Sequence, residues 1–353
     1  MIVVIYTFLI ILAGLMTNNT KPRQVNLYII FCAVILILIS GLRSIWVGTD
    51  DTYLYSINFK EIIHHSYEYI WNEQTKDPFY YVFNKFIAGF TDNDFQIFLV
   101  IAAIIYVSAT CYVIKKESSD PLVSFIVLLA MGFFFFSMNG IRQSLAISFT
   151  TLAYIPLKHR KIIPFILLVV IGSLFHKTAL VFLIAYPLCV LRLNKFTIFV
   201  YIIILLFCLT NGHNILDSIT EQAQQYDERI QSYRFVNNGL TYSGLFQLLI
   251  FAVFAFKYFK AATTADKHSV NLYVLLIIAV LFQSMAVIIA EMFRISMYFS
   301  VFLILLTPKV FEVIPTNYRK SLKLLVCGLL LLYFFLWGSG NIEYRFYFQD
   351  IAH

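Results

Sequence analysis

The run VNLYIIFCAVILILISGL, residues 25–42, is apolar and long enough to cross a lipid bilayer as one helix. Such a crossing takes roughly 20 mostly apolar residues. The overlapping stretch GLRSIWVGTDDTYLY, residues 41–55, then brings Arg43, Asp50 and Asp51 to the end of that run. Charged side chains therefore stand where the chain leaves the membrane.

The composition extends this conclusion to the whole chain. Of its 353 residues, 60% are hydrophobic and only 13% are charged. Soluble domains are nearer half apolar and a quarter charged. The chain cannot bury this much apolar surface within itself, so we expect lipid to be its solvent. The five cysteines form no CxxC pair and are typical of small core residues.

Apolar runs recur along the sequence and predict an all-α, polytopic integral membrane protein with one domain, 1–353. The candidate spans are 2–17, 25–42, 95–114, 122–138, 141–157, 196–210, 244–260, 270–290, 293–307 and 323–338. The run 162–191 is too long for one span, and His176 and Lys177 interrupt it. We interpret it as a hairpin of two short helices, 162–175 and 178–191. The total is about 12 transmembrane or half-spanning helices.

Charge sets the orientation. Placing the 18–24 turn in the cytoplasm puts most lysines and arginines inside, as the positive-inside rule requires. Two sizeable loops, 43–94 and 211–243, then lie outside. The second contains QAQQYDERIQSYRF, a candidate amphipathic helix that carries Arg234. The formal charge of +7 reflects these cytoplasmic loops, so no nucleic-acid partner is expected.

Arg142 stands out among the polar residues at span ends. It follows a break at Asn139 and Gly140, at the start of an apolar run. An arginine this close to hydrocarbon costs a few kcal/mol, so an anion should accompany it. That anion is either a ligand or an internal carboxylate, and Asp50 and Glu291 are the two carboxylates we consider.

Each of the other polar positions also has an ordinary structural explanation. Arg43 could extend to lipid headgroups, and the aspartates after it could belong to a solvated loop. His176 could be a buried structural histidine, or a group that transfers protons near neutral pH. Glu291, Arg294 and Tyr298 share one helical face, where a Glu–Arg pair usually stabilises its own helix.

Arginine at several span ends on one side of the membrane points to a phosphate ligand. Its planar fork binds phosphate oxygens bidentately and keeps its charge in an apolar site. No carboxylate cluster typical of a magnesium site accompanies a span, so neither metal nor cofactor is expected. Exposed tyrosines could stack on sugar rings, although interfacial aromatic belts use the same residue.

Several motifs, in order along nearly the whole chain, resemble the EpsG family of Wzy-like polymerases for bacterial exopolysaccharide and O-antigen. They are GLRSIWVGTDDTYLY (41–55), DPFYYVFNKFIAGFTDNDFQIFLVIAA (77–103), NGIRQSLAISF (139–149), SLFHKTALVFL (173–183), FRISMYF (293–299) and YRFYF (344–348). The double aspartate departs from the family pattern. It leaves open which of Asp50 and Asp51, and which of Tyr53 and Tyr55, takes the family's place.

The resemblance implies an inverting, metal-independent glycosyltransferase similar to the GT-C class, in the bacterial cytoplasmic (inner) membrane. Its active site would face outside, or the periplasm, and join undecaprenyl-diphosphate-linked oligosaccharide units, releasing undecaprenyl diphosphate. Arg142 and Arg294, assisted by Arg43, would bind diphosphate. The candidates for the base are Asp50, Asp51 and His176. Further substrate-binding candidates are Gln143, Tyr53, Tyr55, Glu291, Tyr298 and Arg234.

Two other functions remain open at this stage. A transporter or flippase of lipid-linked sugars would also place arginines along a diphosphate path, but internal repeats would be expected. A membrane transferase that modifies polysaccharide would need a histidine and an acidic partner facing the cytoplasm. Whether a chain-length regulator protein binds is also left open by the sequence.

Overall fold

The computed structural model describes residues 2–47, 50–73, 77–190, 239–286, 291–338 and 343–350, with single helical positions between 197 and 210. Within these ranges every regular element is helical, apart from one isolated antiparallel bridge between Arg43 and Phe346. The prediction of an all-α protein is therefore confirmed for the described chain.

The helices before the hairpin are numbered in chain order. They are α1 (Ile2–Met16), α2 (Pro22–Gly41), α3 (Asp50–Ile62), α4 (Tyr67–Glu73), α5 (Pro78–Phe90), α6 (Phe95–Glu117), α7 (Pro121–Ala130), α8 (Phe133–Asn139) and α9 (Ile141–Lys158). The predicted loop 43–94 is thus largely helical, since it contains α3, α4 and α5.

The hairpin and the helices after it complete the series. They are α10 (Ile162–Phe175), a 3₁₀ helix (Lys177–Ile184), α11 (Ala185–Val190), α12 (Gly239–Lys257), α13 (Phe259–Ala265), α14 (Ser269–Met285), α15 (Met292–Ser300), α16 (Leu303–Val313), α17 (Thr316–Tyr333), a π-helix (Phe334–Gly338) and α18 (Tyr347–Asp350). The break predicted within 162–191 falls at His176, between α10 and the 3₁₀ helix.

Two helices of the described chain, α2 and α6, are long and apolar enough to cross a membrane by themselves. Three bent pairs also qualify if each pair is one span, which gives up to five. The bends are 50° between α7 and α8, 63° between α12 and α13, and 44° between α15 and α16. The structure supports a membrane protein with two to five such spans; the larger number of about 12 stays a prediction.

The bend between α7 and α8 has a local cause. Gly132 adopts a φ of 76°, in the left-handed region that residues with a Cβ rarely enter. Glycine ends α7 there and lets α8 leave at a new angle. The sequence run 122–138 therefore forms two short helices where one span was predicted.

The described chain divides into two compact units. Unit 1 contains residues 1–180 and 307–353, and unit 2 contains residues 181–306. Unit 1 holds Arg43, Arg142 and His176, so the candidate site below is built from its residues alone.

Candidate functional site

Arg142 lies in the first turn of α9, the helix that follows the break at Gly140. Gly140 has no side chain to cap the helix, and the N-terminal end of a helix carries partial positive charge. A cation there is unfavourable unless an anion accompanies it. The position therefore calls for a negative group, as the sequence analysis expected.

Asp77 supplies that negative group. Its Oδ2 lies 3.7 Å from Nη1 of Arg142, and only 4% of the Asp77 side chain is exposed. Arg142 does pair with an internal carboxylate, which was one of the two possibilities. The partner is Asp77, which the sequence analysis did not consider. The side chain of Asp50, one of the expected partners, lies outside the described residues.

Three tyrosine rings surround the Arg142 guanidinium. Its carbon lies 5.6 Å from the ring centre of Tyr55, 5.7 Å from Tyr80 and 6.0 Å from Tyr81. Aromatic faces attract a guanidinium, and the attraction grows when water is excluded. The rings hold the cation in place while leaving 23% of its side chain exposed.

The guanidinium keeps most of its hydrogen-bonding capacity. Nε donates to the Tyr55 hydroxyl at 3.5 Å, the outer limit of a hydrogen bond. Nη1 is too far from Asp77 to donate to it, and neither Nη donates to another described residue. The four Nη hydrogens are therefore available to a ligand that fits a planar fork, such as a phosphate.

His176 stands at the end of α10, on the other side of the same aspartate. Its Nδ1 lies 2.7 Å from Asp77 Oδ2, and the backbone N–H of Lys177 donates to Oδ1 at 2.9 Å. Burial alone would raise the pKa of Asp77, but these hydrogen bonds and the charge of Arg142 outweigh it and lower that pKa below its ordinary value. Asp77 is therefore a carboxylate at neutral pH.

Close packing of α9 on α10 brings these groups together. A Cβ built on Gly172 would meet the backbone oxygen of Ala146 at 3.0 Å, so a larger residue there would push the two helices slightly apart. The approach places the start of α9 beside the end of α10. Arg142 and His176 consequently share one carboxylate.

Arg43 lies elsewhere in unit 1 and is 1% exposed. Its Nη1 donates to the Ser40 carbonyl and its Nη2 to the Met138 carbonyl at 2.7 Å. Extension to lipid headgroups is therefore wrong. Arg43 joins the end of α2 to the segment before α9, and its predicted assistance in diphosphate binding stays a prediction. Arg43 and Ser144 also line a cavity of about 10 Å³, room for one water.

The remaining candidates from the 41–55 motif lie on or beside α3. Asp50 begins this helix, and Asp51 is half-buried in its first turn. Tyr53 stacks on Trp46, with ring centres 4.8 Å apart. Both rings are exposed, and Trp46 is a residue that the sequence analysis did not select.

Four other candidates belong to unit 2 or to the core. Arg294 and Glu291 form the expected pair at 3.0 Å, and both are well exposed. Tyr298 is fully buried, so it does not share an exposed face with them. Gln143 is buried beside Arg142 in α9. Arg234 and the predicted amphipathic helix lie outside the described residues.

The sequence around Asp77 predicts a different role, that of a helix cap. An aspartate directly before proline usually caps the helix that the proline begins. In the structure Asp77 makes no side-chain cap to α5, and its backbone adopts a left-handed φ of 53°. A non-glycine residue in that region costs energy and is often found at functional sites.

These features define a helical membrane protein that holds an arginine, a carboxylate and an imidazole together at the ends of helices from distant parts of the sequence. The chain belongs to the EpsG family, whose model matches residues 26–348. EpsG is a family of Wzy-like polysaccharide polymerases. No curated protein and no solved structure matches the chain.

Proposed function

We propose that this protein polymerises undecaprenyl-diphosphate-linked oligosaccharide units at the outer face of the bacterial cytoplasmic membrane. Family membership supports a polysaccharide polymerase, and the environment of Arg142 supports a phosphate-bearing substrate. One unit on its lipid carrier is the acceptor, and the growing chain on another carrier is the donor. Each transfer inverts the anomeric carbon and releases undecaprenyl diphosphate.

The observation that carries the proposal is the half-buried Arg142 with unused donors on both Nη atoms. The leaving diphosphate gains negative charge as its bond to the sugar breaks. A guanidinium that is already in place stabilises this charge without first having to reorganise. Arg142 therefore performs without a metal ion the role that a cation has in many phosphate-releasing enzymes.

The other predicted residues have secondary parts in this proposal. Arg294 is exposed and paired with Glu291, and its part in binding diphosphate is carried over from the sequence analysis. The stacked rings of Trp46 and Tyr53 offer an aromatic face for a sugar of the repeat unit. Asp50, Asp51 and His176 are the groups considered for accepting the proton of the acceptor hydroxyl.

The proposal includes the larger architecture and partners expected from the sequence. The chain would have about 12 membrane-crossing or half-crossing helices, similar to the metal-independent GT-C class. Its partners are the lipid-linked oligosaccharide, the bilayer itself and a chain-length regulator protein. Basic residues at and just after the end of α9 opposite Arg142, namely Lys158 and Lys161, support an outward-facing site under the positive-inside rule.

A gel of cell-surface polysaccharide tests the function. The gene is deleted and replaced by wild type, Arg142→Ala, Arg142→Lys or Arg345→Ala, at equal membrane levels. Arg345 is an exposed arginine paired with Glu343, which makes it a matched control. We expect polymer with wild type and Arg345→Ala, and single units only with Arg142→Ala. Arg142→Lys should give little polymer, because lysine keeps the charge but lacks the fork.

The same experiment separates a polymerase from a flippase. A strain without a polymerase still exports single units, which appear on the outer face of the membrane. If single units never appear outside in the deletion strain, the protein acts at or before translocation and the proposal is wrong. Normal polymer with Arg142→Ala would contradict the role assigned to that residue.

A further inference from the structure

Arg142, Asp77 and His176 form one cluster. Asp77 is the residue of this cluster that has no direct access to a ligand. It is 4% exposed, and its two oxygens face His176, Arg142 and the backbone N–H of Lys177. Its left-handed backbone conformation is unfavourable for a residue with a Cβ. Contacts with groups distant in the sequence therefore hold it in place, so its role must lie in what it does to them.

The geometry determines which ring nitrogen of His176 carries the proton. An ionised carboxylate only accepts hydrogen bonds, so the 2.7 Å contact with Oδ2 requires a proton on Nδ1. In the neutral imidazole Nε2 then carries a lone pair. Nε2 makes no hydrogen bond to a described residue, and 23% of the side chain is exposed. It is therefore free to accept a proton from a ligand.

Two further features surround His176 with negative charge. His176 follows the last residue of α10, where the C-terminal end of the helix carries partial negative charge. Asp77 adds a full negative charge beside Nδ1. Arg142 lies 3.7 Å from the same carboxylate, so the carboxylate is shared by two groups.

We propose that Asp77 is a positioning residue that keeps the proton of His176 on Nδ1, so that Nε2 takes the proton of the acceptor hydroxyl. This inference rests on the proposed function and selects His176 from the three candidates for the base. It explains why a buried aspartate, an arginine and a histidine share one site.

The transfer step balances with these groups alone. The acceptor hydroxyl gives its proton to Nε2 of His176 as its oxygen forms a bond to the anomeric carbon of the donor. The bond between that carbon and the diphosphate oxygen breaks, and the diphosphate leaves with the electron pair beside Arg142. The imidazolium, held by Asp77, then releases its proton to water.

The substitution Asp77→Asn tests the tautomer directly. The N–H of Lys177 requires an oxygen at the Oδ1 position, so the amide nitrogen of the new asparagine must face Nδ1 of His176. Nδ1 then has to accept a hydrogen bond, and the proton moves to Nε2. The side chain keeps its size, so the fold is retained, but Nε2 of His176 can no longer accept a proton. The same change at Asp94, an exposed aspartate that caps α6, is the matched control.

The assay uses purified full-length protein in lipid vesicles with undecaprenyl-diphosphate-linked single units. We expect Asp77→Asn to lower kcat by about 100-fold or more, the least that general base catalysis usually contributes, with KM for the unit unchanged. His176→Asn should lower it equally, since its amide nitrogen retains the hydrogen bond to Asp77 and hence the fold. Asp94→Asn should behave as wild type.

A double-variant cycle identifies a residue that acts through another. If Asp77 works only through His176, adding Asp77→Asn to His176→Asn lowers kcat no further. A multiplied loss in the double variant, or a normal kcat in either single variant, would overturn the inference. Failure of the wild type to elongate units would instead refute the proposed function, so the two failures are distinguishable.

Discussion

At the scale of single residues, Asp77 shows how a carboxylate remains charged in a nearly water-free position. Burial disfavours its charge, and a positive φ adds conformational cost. The hydrogen bonds from His176 and Lys177 and the nearby guanidinium of Arg142 offset both. The net result is a pKa below the ordinary value, so the ionised form is the one that stabilises the fold.

This lowered pKa predicts a pH-dependent stability. A carboxyl group whose pKa is lower in the folded state stabilises the protein above its unfolded pKa of about 3.9. That stabilisation is lost as the pH falls through the lower, folded pKa. Asp77→Asn should therefore lower the melting temperature at pH 7, measured in detergent, and the gap to wild type should narrow below about pH 4. A gap that is constant with pH would contradict the assignment.

The sequence identified Arg142 and His176 because charged or titratable residues at the edges of apolar runs are conspicuous. Asp77 lies in a polar stretch, where carboxylates are common and need no explanation. Its partner His176 is 99 residues away, and the close helix approach at Gly172 that joins them is a tertiary feature. Neither composition nor periodicity in a single sequence carries that information.

At the scale of elements, the end of α2 shows how an apolar helix finishes beside a polar site. The last carbonyls of a helix have no partner within it, and such groups are costly to bury. Here the carbonyls of residues 39–42 accept, in order, from the Tyr344 hydroxyl, Arg43, Gln96 and the backbone N–H of Tyr347. The motif YRFYF (344–348) thus supplies donors for the last carbonyls of α2, the helix that leads into the motif at 41–55.

The hydroxyl of Tyr344 can be tested against a neighbouring tyrosine. It donates to the Ile39 carbonyl at 2.7 Å, so Tyr344→Phe should destabilise the protein by about 1 kcal/mol. Tyr347 contributes its backbone N–H, and its side chain is exposed. Tyr347→Phe should therefore leave the melting temperature unchanged. Equal melting temperatures for both variants would show that the hydroxyl contact does not support α2.

Hydrophobic periodicity predicted the positions of the helices better than the bends between them. The run 162–175 corresponds to α10, because the polar pair at 176–177 marks the break. The runs 122–138 and 293–307 looked like straight spans, since a bend does not alter their composition. The bend at Gly132 depends on one backbone angle, which hydropathy does not encode.

At the scale of the whole molecule, the position of the cluster relative to the membrane is the main prediction to test. Arg142 begins α9 and Lys158 ends it, roughly 25 Å away at 1.5 Å per residue. A cluster on the outer face therefore places the 158–161 turn inside. The distribution of lysine and arginine between loops supports this orientation.

Labelling of introduced cysteines by a membrane-impermeant maleimide tests the orientation. The described native cysteines are all buried and should give little background. Glu61, in α3, and Lys161, before α10, are both exposed. We expect Glu61→Cys to react in intact cells and Lys161→Cys to react only after permeabilisation. The opposite pattern would place the cluster on the cytoplasmic side and exclude polymerisation outside.

The most direct test of the central claim is the binding of radiolabelled undecaprenyl diphosphate to the purified protein in lipid vesicles. If Arg142 binds the diphosphate, Arg142→Ala should raise Kd by at least about tenfold, the loss expected for a charge-assisted hydrogen bond. Arg345→Ala should bind as wild type. Equal affinities for all three proteins would show that the diphosphate binds elsewhere, and that Arg142 only balances the charge of Asp77.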